Sequence, residues 1–510
     1  MKRVLAVFAL TSLISIATGM AVVPPVTLSA ATTCEALAGL KLADTTITSA
    51  ESVAAGAFVA PGGRGGRGAA QPDLPAFCRV AATLKPSADS DIKIEVWMPA
   101  SNWNGKYQAV GNGGWNGTIG YPAMMTALRR GYATSSTDTG HAGDTAEFAF
   151  GHPEKLIDFG YRSVHDMTVK AKAIIGAYYD NPLKYAYWNG CSAGGRQAMK
   201  EAQKFPADFD GIIAGSPGLD WTGRSVGAMR IAQVAKDENA RVTPAKAQII
   251  HAAAIEACDA TDGIKDGVID DPKKCTFDPG VLECKGADAP NCLTKAQAQT
   301  ARMMYMSPVN PKTKREITGL EPGSELGWTD QGWTGGARNA GLSLFRFVVY
   351  KDPMWDADKF NFETDVVRAE ADAEVTNALD PNLKPFFDRG GKLIQYHGWA
   401  DPQISPGNSV QYYKRVTDAN GGVARVQASH RLFMAPGMGH CGGGEGPNTF
   451  DMMTAIEQWV ENKTAPVQIV ASHSRDGKVD RTRPLCPYPQ VASYKGSGST
   501  DEAANFVCKQ

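Results

Sequence analysis

The most reactive arrangement in the sequence is the segment Gly190-Cys191-Ser192-Ala193-Gly194, which fits the pattern G-x-S-x-G. A predicted strand at residues 185–189 precedes it, and a predicted helix at residues 194–204 follows it. A turn this sharp accepts only small residues beside the serine, and it lifts the hydroxyl above the sheet at a helix N-terminus. A serine needs a base to take its proton before it can attack a carbonyl. The pattern therefore predicts Ser192 as a nucleophile.

Two later residues fit the roles of acid and base. In α/β-hydrolases, an acid and then a histidine follow the serine, on loops at the carboxyl ends of later strands. Asp401 follows a predicted strand at 391–396, and His440 follows one at 431–435. His397 is the nearest rival base, but it precedes the best-placed acid. The other rivals precede the serine, where a lone histidine is usually a hydrogen-bonded structural group: His141, His152 and His165.

Cysteines flank this predicted triad, since Cys191 precedes Ser192 and Cys441 follows His440. A disulfide between them would hold the nucleophile within hydrogen-bonding reach of the base. Glycines at residues 111–117 follow another predicted strand, where such folds place the loop that binds an oxyanion. We expect the main-chain N–H of Ala193 and one from Gly113 or Gly114 to serve this purpose. An ordinary glycine turn or a phosphate cradle is the alternative, although no Gly-Lys-Ser/Thr follows.

Residues 258–270 space carboxylates and glycines in the manner of a calcium-binding loop. Hard cations take oxygen ligands, and each glycine permits a turn that aims a carbonyl inward. The loop is not an EF-hand, because D-x-D-x-D-G is not met, and a solvated acidic turn is the alternative. Cys258 and Cys275 bracket the loop and would close it as a disulfide.

Short strands alternate with helices on both sides of the predicted triad, which indicates a mostly parallel sheet covered on both faces. The alternation of strands and helices is absent from residues 219–385. This segment is called the insertion below. We therefore predict an α/β fold, with an α/β-hydrolase core in two parts, 32–218 and 386–510. The insertion forms a large lid domain that carries the acidic loop.

Composition and the N-terminus indicate where the chain resides. The 510 residues carry a net charge of −1, which argues against nucleic-acid binding. A basic start, an apolar run and small residues at 29–31 predict a secretory signal over 1–31, removed near Ala31, with a membrane anchor as the alternative. Ten cysteines suit five disulfides in an oxidising compartment, although spacing does not set their pairing. We expect a secreted or periplasmic protein without a membrane partner.

At this point the sequence resembles the tannase and feruloyl esterase family, which includes hydrolases of mono(2-hydroxyethyl) terephthalate. The resemblance rests on Cys191-Ser192, Asp401 and His440-Cys441 and extends over nearly all of the chain after the signal. It implies a Cys191–Cys441 disulfide and, by position, four others: Cys34–Cys78, Cys258–Cys275, Cys284–Cys292 and Cys486–Cys508. It also implies a structural calcium in the lid, with these ligands: the side chains of Asp259, Asp262 and Asp266 and the carbonyls of Ile264 and Val268.

The same resemblance implies a lid that closes over the acyl group of a small aromatic ester. Acid-pocket candidates within it are Trp328, Trp333, Phe345 and Arg346. We therefore expect a secreted serine carboxylic ester hydrolase of the feruloyl esterase type, whose catalysis needs no cofactor. Gallate esters or terephthalate monoesters are alternative substrates within this class. A peptidase with the same triad and a non-catalytic, calcium-dependent binding module are alternatives from other classes. The oligomeric state is not predicted.

Overall fold

The computed structural model describes residues 32–61, 70–329 and 341–510. The predicted signal and Trp333 lie outside the described residues. The described strands are β1 Thr45–Val53, β2 Phe77–Leu84, β3 Ile92–Pro99, β4 Lys106–Val110, β5 Ala133–Thr137, β6 Tyr185–Cys191, β7 Gly211–Gly215, β8 Lys392–Gly398, β9 His430–Ala435, β10 Ile469–Arg475, β11 Lys478–Leu485, β12 Val491–Tyr494 and β13 Phe506–Lys509.

Nine of these strands form one sheet in the order β1-β2-β3-β5-β4-β6-β7-β8-β9. The pairs from β5 through β4, β6, β7 and β8 to β9 are parallel, whereas β1, β2 and β3 add an antiparallel edge. Two hairpins, β10-β11 and β12-β13, form separate sheets near the C-terminus. The expected α/β-hydrolase core with a mostly parallel sheet is confirmed.

The described α-helices are α1 Tyr121–Arg129, α2 Pro153–Ile157, α3 Ser163–Tyr179, α4 Ala193–Lys204, α5 Trp221–Val234, α6 Pro244–Cys258, α7 Lys295–Tyr305, α8 Leu342–Leu344, α9 Phe362–Ala369, α10 Ala373–Thr376, α11 Lys384–Asp388, α12 Pro406–Ala419, α13 Val423–Val426 and α14 Met452–Asn462. Two π-helical turns occur at Asp158–Arg162 and Phe345–Val349. Among the described residues, none of the helices has the length and apolar character needed to cross a bilayer.

Apolar layers cover both faces of the sheet. Successive strand residues point to opposite faces, so Ile212 joins the layer beneath α3, α4 and α12, whereas Ile213 joins the layer beneath α14. All five residues of β7 are buried, as expected for a central parallel strand covered on both sides. This packing makes the sheet a rigid base for the loops at the carboxyl ends of its strands.

The chain leaves the sheet after β7 and returns at β8. Between these strands the described residues add helices and short turns but no strand of the nine-stranded sheet. Helix α7 begins with a capping box, in which the Thr294 side chain accepts from the Gln297 N–H and the Gln297 side chain accepts from the Thr294 N–H. The insertion has its own apolar core, formed by α5, α6, α7 and the turn that contains Trp328.

Candidate active site

Ser192 occupies the turn between β6 and α4. Its backbone has φ 64° and ψ −120°, a conformation that non-glycine residues adopt only when their surroundings enforce it. The Ser192 N–H donates to the Gly215 carbonyl at 2.9 Å, and its own carbonyl accepts from the Gly218 N–H at 3.1 Å. The strand beside β6 therefore holds the turn in place.

Glycines around Ser192 allow close contact between three main-chain segments, namely the end of β6, the start of α4 and the 111–117 loop. A Cβ atom on Gly190 would lie 2.6 Å from the carbonyl oxygen of Gly194. A Cβ atom on Gly111 would lie 2.4 Å from the Gly194 Cα. Neither position accepts a side chain unless the backbone moves. The G-x-S-x-G pattern thus serves the local packing, and it brings the 111–117 loop against the serine turn.

Asp401 and His440 come together although 39 residues separate them. Asp401 lies just beyond β8, His440 lies beyond β9, and Oδ2 of Asp401 lies 2.7 Å from Nδ1 of His440. Burial opposes ionisation of Asp401, but the charge of His440 and hydrogen bonds from His397 and His440 outweigh it and hold the pKa of the carboxyl below its ordinary value. Within the part of the chain that the structure describes, Nε2 of His440 has no hydrogen-bond partner. No hydrogen bond joins this nitrogen to Ser192 in the described part of the chain, so the contact that the structure gives within the predicted triad is the one between Asp401 and His440.

His397 contacts the same carboxylate from a buried position. Its Nε2 lies 3.1 Å from Oδ2 of Asp401, and its Nδ1 lies 2.7 Å from Oγ of Ser409. Both ring nitrogens are thus engaged in the protein interior. The geometry fits a residue that orients Asp401, a contact for which the sequence has no motif.

A disulfide joins the two loops that carry Ser192 and His440. Cys191 and Cys441 are bonded, with their Cα atoms 6.0 Å apart across 250 residues of sequence. The Cys441 backbone has φ 63°, and its N–H donates to Oγ of Ser216 at 3.4 Å. The bridge links the turn that carries Ser192 covalently to the loop after β9 that carries His440, called the histidine loop below.

The 111–117 loop is anchored by Asn112, a residue that sequence reasoning missed. Its side-chain NH₂ donates to the Thr118 and Thr137 carbonyls, both at 2.7 Å, and its Oδ1 accepts from Nε2 of Gln197 at 3.0 Å. Its carbonyl also accepts from the Gly194 N–H at 2.8 Å. Gly113 and Gly114 follow directly, with open space where a side chain would extend. This anchoring leaves the two glycines exposed beside α4.

An aromatic cluster surrounds Ala193, which is itself buried. Trp115 stacks on Phe159 at 4.6 Å between ring centroids and meets Trp221 edge-on at 5.1 Å. The guanidinium of Arg196 lies over the same two rings, 4.6 Å from Phe159 and 5.2 Å from Trp221. Sequence reasoning missed this cluster because its members come from separate loops and helices without a shared motif.

Three of the four acid-pocket candidates lie among the described residues. Trp328 is fully buried in the core of the insertion, where its ring meets Tyr305 at 5.3 Å. Phe345 is also fully buried and stacks on Trp355, and Nε of Arg346 donates to the Trp355 carbonyl at 3.1 Å. Apolar tryptophan and phenylalanine side chains gain more from packing inside the insertion than from facing solvent.

A cavity of about 350 Å³ lies beside His440, between the insertion and the core. Its lining includes His440 and Trp399 from the core and Ile269 and Leu326 from the insertion. The three described acid-pocket candidates, Trp328, Phe345 and Arg346, are not among its lining residues.

The acidic loop has an excess of buried negative charge. Burial, followed by the charge of Asp262 among others, raises the pKa of Asp270 to about 7, and Oδ1 of this buried residue has no hydrogen-bond partner among the described residues. Asp259 accepts from the N–H groups of Asp266 and Gly267, at 3.1 and 2.9 Å, and Oδ2 of Asp266 pairs with Arg483 at 2.6 Å. The orphaned oxygen belongs to Asp270, outside the predicted ligand set, and an oxygen-seeking cation is a group that would compensate it.

The remaining predicted residues have structural contacts. Nε2 of His141 lies 2.7 Å from the Trp115 carbonyl, His152 pairs with Asp89 at 2.9 Å, and Nδ1 of His165 lies 2.7 Å from Asp208. The other disulfides also have the expected pairing: Cys34–Cys78, Cys258–Cys275, Cys284–Cys292 and Cys486–Cys508.

A sheet of this topology, with a serine on the turn after β6 and an acid–histidine pair beyond β8 and β9, defines the class of α/β-hydrolases. The model of the family described as tannase and feruloyl esterase matches residues 78–509, and the chain belongs to this family. An uncharacterized esterase of Xanthomonas campestris pv. campestris is 40% identical to it, over 94% of this chain and 92% of its own length. Feruloyl esterase B of Aspergillus niger is 32% identical, over 85% of this chain and 86% of its own length.

Solved structures agree with this assignment. The crystal structure of feruloyl esterase B from Aspergillus oryzae superposes with a TM-score of 0.88 at 29% identity, covering 93% of this chain and 99% of that one. The protein is accordingly a carboxylic ester hydrolase.

Proposed function

We propose that the protein is an exported serine esterase that cleaves small esters of aromatic acids through an acyl-enzyme. The observation that carries the proposal is the 2.7 Å contact between Asp401 and His440, on a loop that a disulfide ties to the turn bearing Ser192. A nucleophile, a base and an orienting acid are the groups that acyl transfer requires.

In this mechanism Ser192 Oγ attacks the ester carbonyl while Nε2 of His440 takes its proton. Asp401 holds the imidazole in the tautomer with hydrogen on Nδ1 and stabilises the imidazolium that forms. The N–H of Ala193 and one from Gly113 or Gly114 donate to the oxyanion, and each such donor contributes about 3 kcal/mol of transition-state stabilisation. His440 then protonates the departing alcohol and activates the water that releases the acid.

The choice of an aromatic acid rests on the relatives, because proteins from Aspergillus niger and Aspergillus oryzae that this chain resembles are named feruloyl esterase B. Gallate esters and terephthalate monoesters are the alternatives within the class. Comparing kcat/KM for methyl ferulate, methyl gallate and mono(2-hydroxyethyl) terephthalate decides among them, and a matching amide tests for peptidase activity.

Export is supported by the signal-like segment at 1–31 and by five disulfides, which persist in oxidising compartments. We also assign the role of a lid to the insertion, because its residues Ile269 and Leu326 face His440 across the cavity. The boundary between lid and core is tested by limited proteolysis with and without an acid product.

The nucleophile is tested with the variant Ser192→Ala. We expect kcat for p-nitrophenyl or methyl hydroxycinnamate esters to fall by about 10⁴-fold or more, because no other group can form the acyl-enzyme. Ser163→Ala, a buried serine on α3, is the matched control and should retain activity. Hydrolysis by Ser192→Ala at near wild-type rate would refute the assignment, and absence of hydrolysis by the wild type would favour a binding module.

We further propose that the acidic loop holds a structural calcium through Asp259, Asp262 and Asp266 and the carbonyls of Ile264 and Val268. The ion would neutralise the excess carboxylates and take no part in the chemistry. A ligand at 100 times its dissociation constant stabilises a fold by about 2.7 kcal/mol. Removal with a calcium chelator should therefore lower Tm, and added Ca²⁺ should restore it. A Tm that the chelator leaves unchanged, or an Asp262→Asn variant that responds as the wild type does, would contradict the site.

A further inference from the structure

A second group of ligand-type side chains lies far along α4 from Ser192. His165 belongs to α3, Glu201 belongs to α4, and Asp208 lies in the loop that leads from α4 into β7. Each offers a nitrogen or oxygen atom, and these atoms lie within 4.8 Å of one another. Neither the predicted triad nor the acidic loop uses these residues.

Within this group the carboxylate of Glu201 lies beside that of Asp208 and has no N–H or O–H donor among the described residues. Nδ1 of His165 lies 2.7 Å from Oδ2 of Asp208. Glu201 is fully buried, and among the described residues neither of its carboxylate oxygens has a hydrogen-bond partner. Burial, followed by the negative charge of Asp208, raises the pKa of Glu201 well above its ordinary value. A buried carboxylate in this position is costly unless a cation or a proton compensates it.

The nearest ammonium does not supply that compensation. Nζ of Lys172 donates to the main-chain carbonyl of Asp208 and does not pair with Glu201. Burial lowers the pKa of Lys172 in spite of the nearby carboxylates, so the protein interior disfavours its charged form. His165 is the other basic side chain of the group, and its Nδ1 contacts Asp208. Its ring stacks on Phe205 at 3.8 Å between centroids, which sets the orientation of the ring.

We propose that His165, Glu201 and Asp208 bind one divalent transition-metal ion, with Zn²⁺ as the ion that this donor set favours. One imidazole and two carboxylates are ligands that Zn²⁺ accepts, whereas Ca²⁺ takes oxygen ligands. His165 is partly exposed, so ion and water have an entry path to the remaining coordination position. The site is structural: it ties α3, α4 and the loop before β7 together beneath the sheet.

The test is a zinc titration of the full chain after metal removal, with calcium kept in excess so that the acidic loop stays saturated. We expect the wild type to bind one Zn²⁺ per chain in equilibrium dialysis and to gain thermal stability. Glu201→Gln and His165→Gln should each weaken the affinity at least about tenfold and lose the increase in Tm. His165 is partly exposed, so His165→Gln remains informative if Glu201→Gln does not fold.

His473→Gln is the matched control, because Nδ1 of His473 also pairs with a carboxylate, Asp480, at 2.6 Å near the surface. This variant should bind zinc as the wild type does. The proposal is overturned if the wild type takes up no zinc, or if Glu201→Gln retains the wild-type affinity. A proton shared between Glu201 and Asp208 is the competing explanation, and it predicts that zinc leaves the wild-type Tm unchanged.

Discussion

Asp401 receives hydrogen bonds on both carboxylate oxygens. Oδ2 lies near both His440 and His397, while Oδ1 accepts from the N–H groups of Gln403 and Ile404, at 2.7 and 3.0 Å. The main-chain donors fix the carboxylate plane, so the oxygen that faces His440 is determined by the turn after β8. In the mechanism proposed above, this single side chain sets the tautomer of His440.

The variant Asp401→Asn should retain the fold, since the amide oxygen can still accept from both N–H groups. Its NH₂ would face Nδ1 of His440 and force the proton to the other nitrogen, so we expect kcat to fall by about 10⁴-fold. Steady-state hydrolysis of an aryl ester measures this. Asp388→Asn, at an exposed position on α11, is the control. A loss below tenfold would mean that Asp401 does not set the tautomer.

At this scale the sequence predicts the residues that belong to a pattern and misses those that do not. Ser192, Asp401 and His440 stand at recognisable distances from strand ends, so their positions could be inferred. His397 and Asn112 act through contacts that only the folded chain creates. Trp328 and Phe345 belong to no such pattern, because a large aromatic side chain fits a pocket and a core equally well until its neighbours are known, and the structure buries both.

At the scale of elements, strand and helix bounds near the site were predicted closely. The strand expected at 185–189 is β6, and the helix expected at 194–204 is α4. Period-two and helical patterns carry this information locally. The position of β5 between β3 and β4 in the sheet cannot be inferred from these patterns, because strand order depends on contacts between distant segments.

The link between the 111–117 loop and α4 leads to a prediction for Asn112→Ala. Removal of the side chain leaves the Thr118 and Thr137 carbonyls without this donor, at a cost of about 1–3 kcal/mol in stability. The loop that presents Gly113 and Gly114 should loosen, so we expect kcat to fall more than KM changes.

Thermal melting and steady-state kinetics together test Asn112→Ala. Asn116→Ala, at an exposed position of the same loop, is the control and should change neither quantity strongly. If Asn112→Ala keeps the wild-type kcat, the prediction that Asn112 positions the 111–117 loop for catalysis is wrong.

At the scale of the whole molecule, His251 connects the insertion to the histidine loop. On α6, it pairs through Nδ1 with Glu325 at 2.8 Å and through Nε2 with Glu445 at 2.7 Å. Burial opposes its charge, but the hydrogen bonds and charges of Glu325 and Glu445 prevail and raise the pKa of His251 to about 9. The two ion pairs of His251 with Glu325 and Glu445 thus hold α6 next to the loop that carries His440.

Because the folded-state pKa exceeds the ordinary value of 6.5, the charged form stabilises the fold. That stabilisation is complete below pH about 6.5 and is lost as the pH rises through about 9. The substitution His251→Gln should lower the free energy of unfolding by about 1–2 kcal/mol at pH 6. This is less than the full pKa shift implies, because Glu445 is half exposed. At pH 10 the substitution should change the free energy of unfolding little. Thermal melting across this range measures it, with His152→Gln as the control. A Tm difference that does not change with pH would contradict the prediction.

The bridge between Cys191 and Cys441 has a consequence for how the protein matures. The other four disulfides each join cysteines that are consecutive along the chain, whereas Cys191 must wait while two later pairs close between it and its partner. Oxidation in the order of synthesis would join Cys191 to Cys258 instead. Correct pairing therefore requires that Cys191 stay unpaired until Cys441 has been synthesised, or that an isomerase reshuffle an early bond, and only Cys486–Cys508 joins cysteines that are made later.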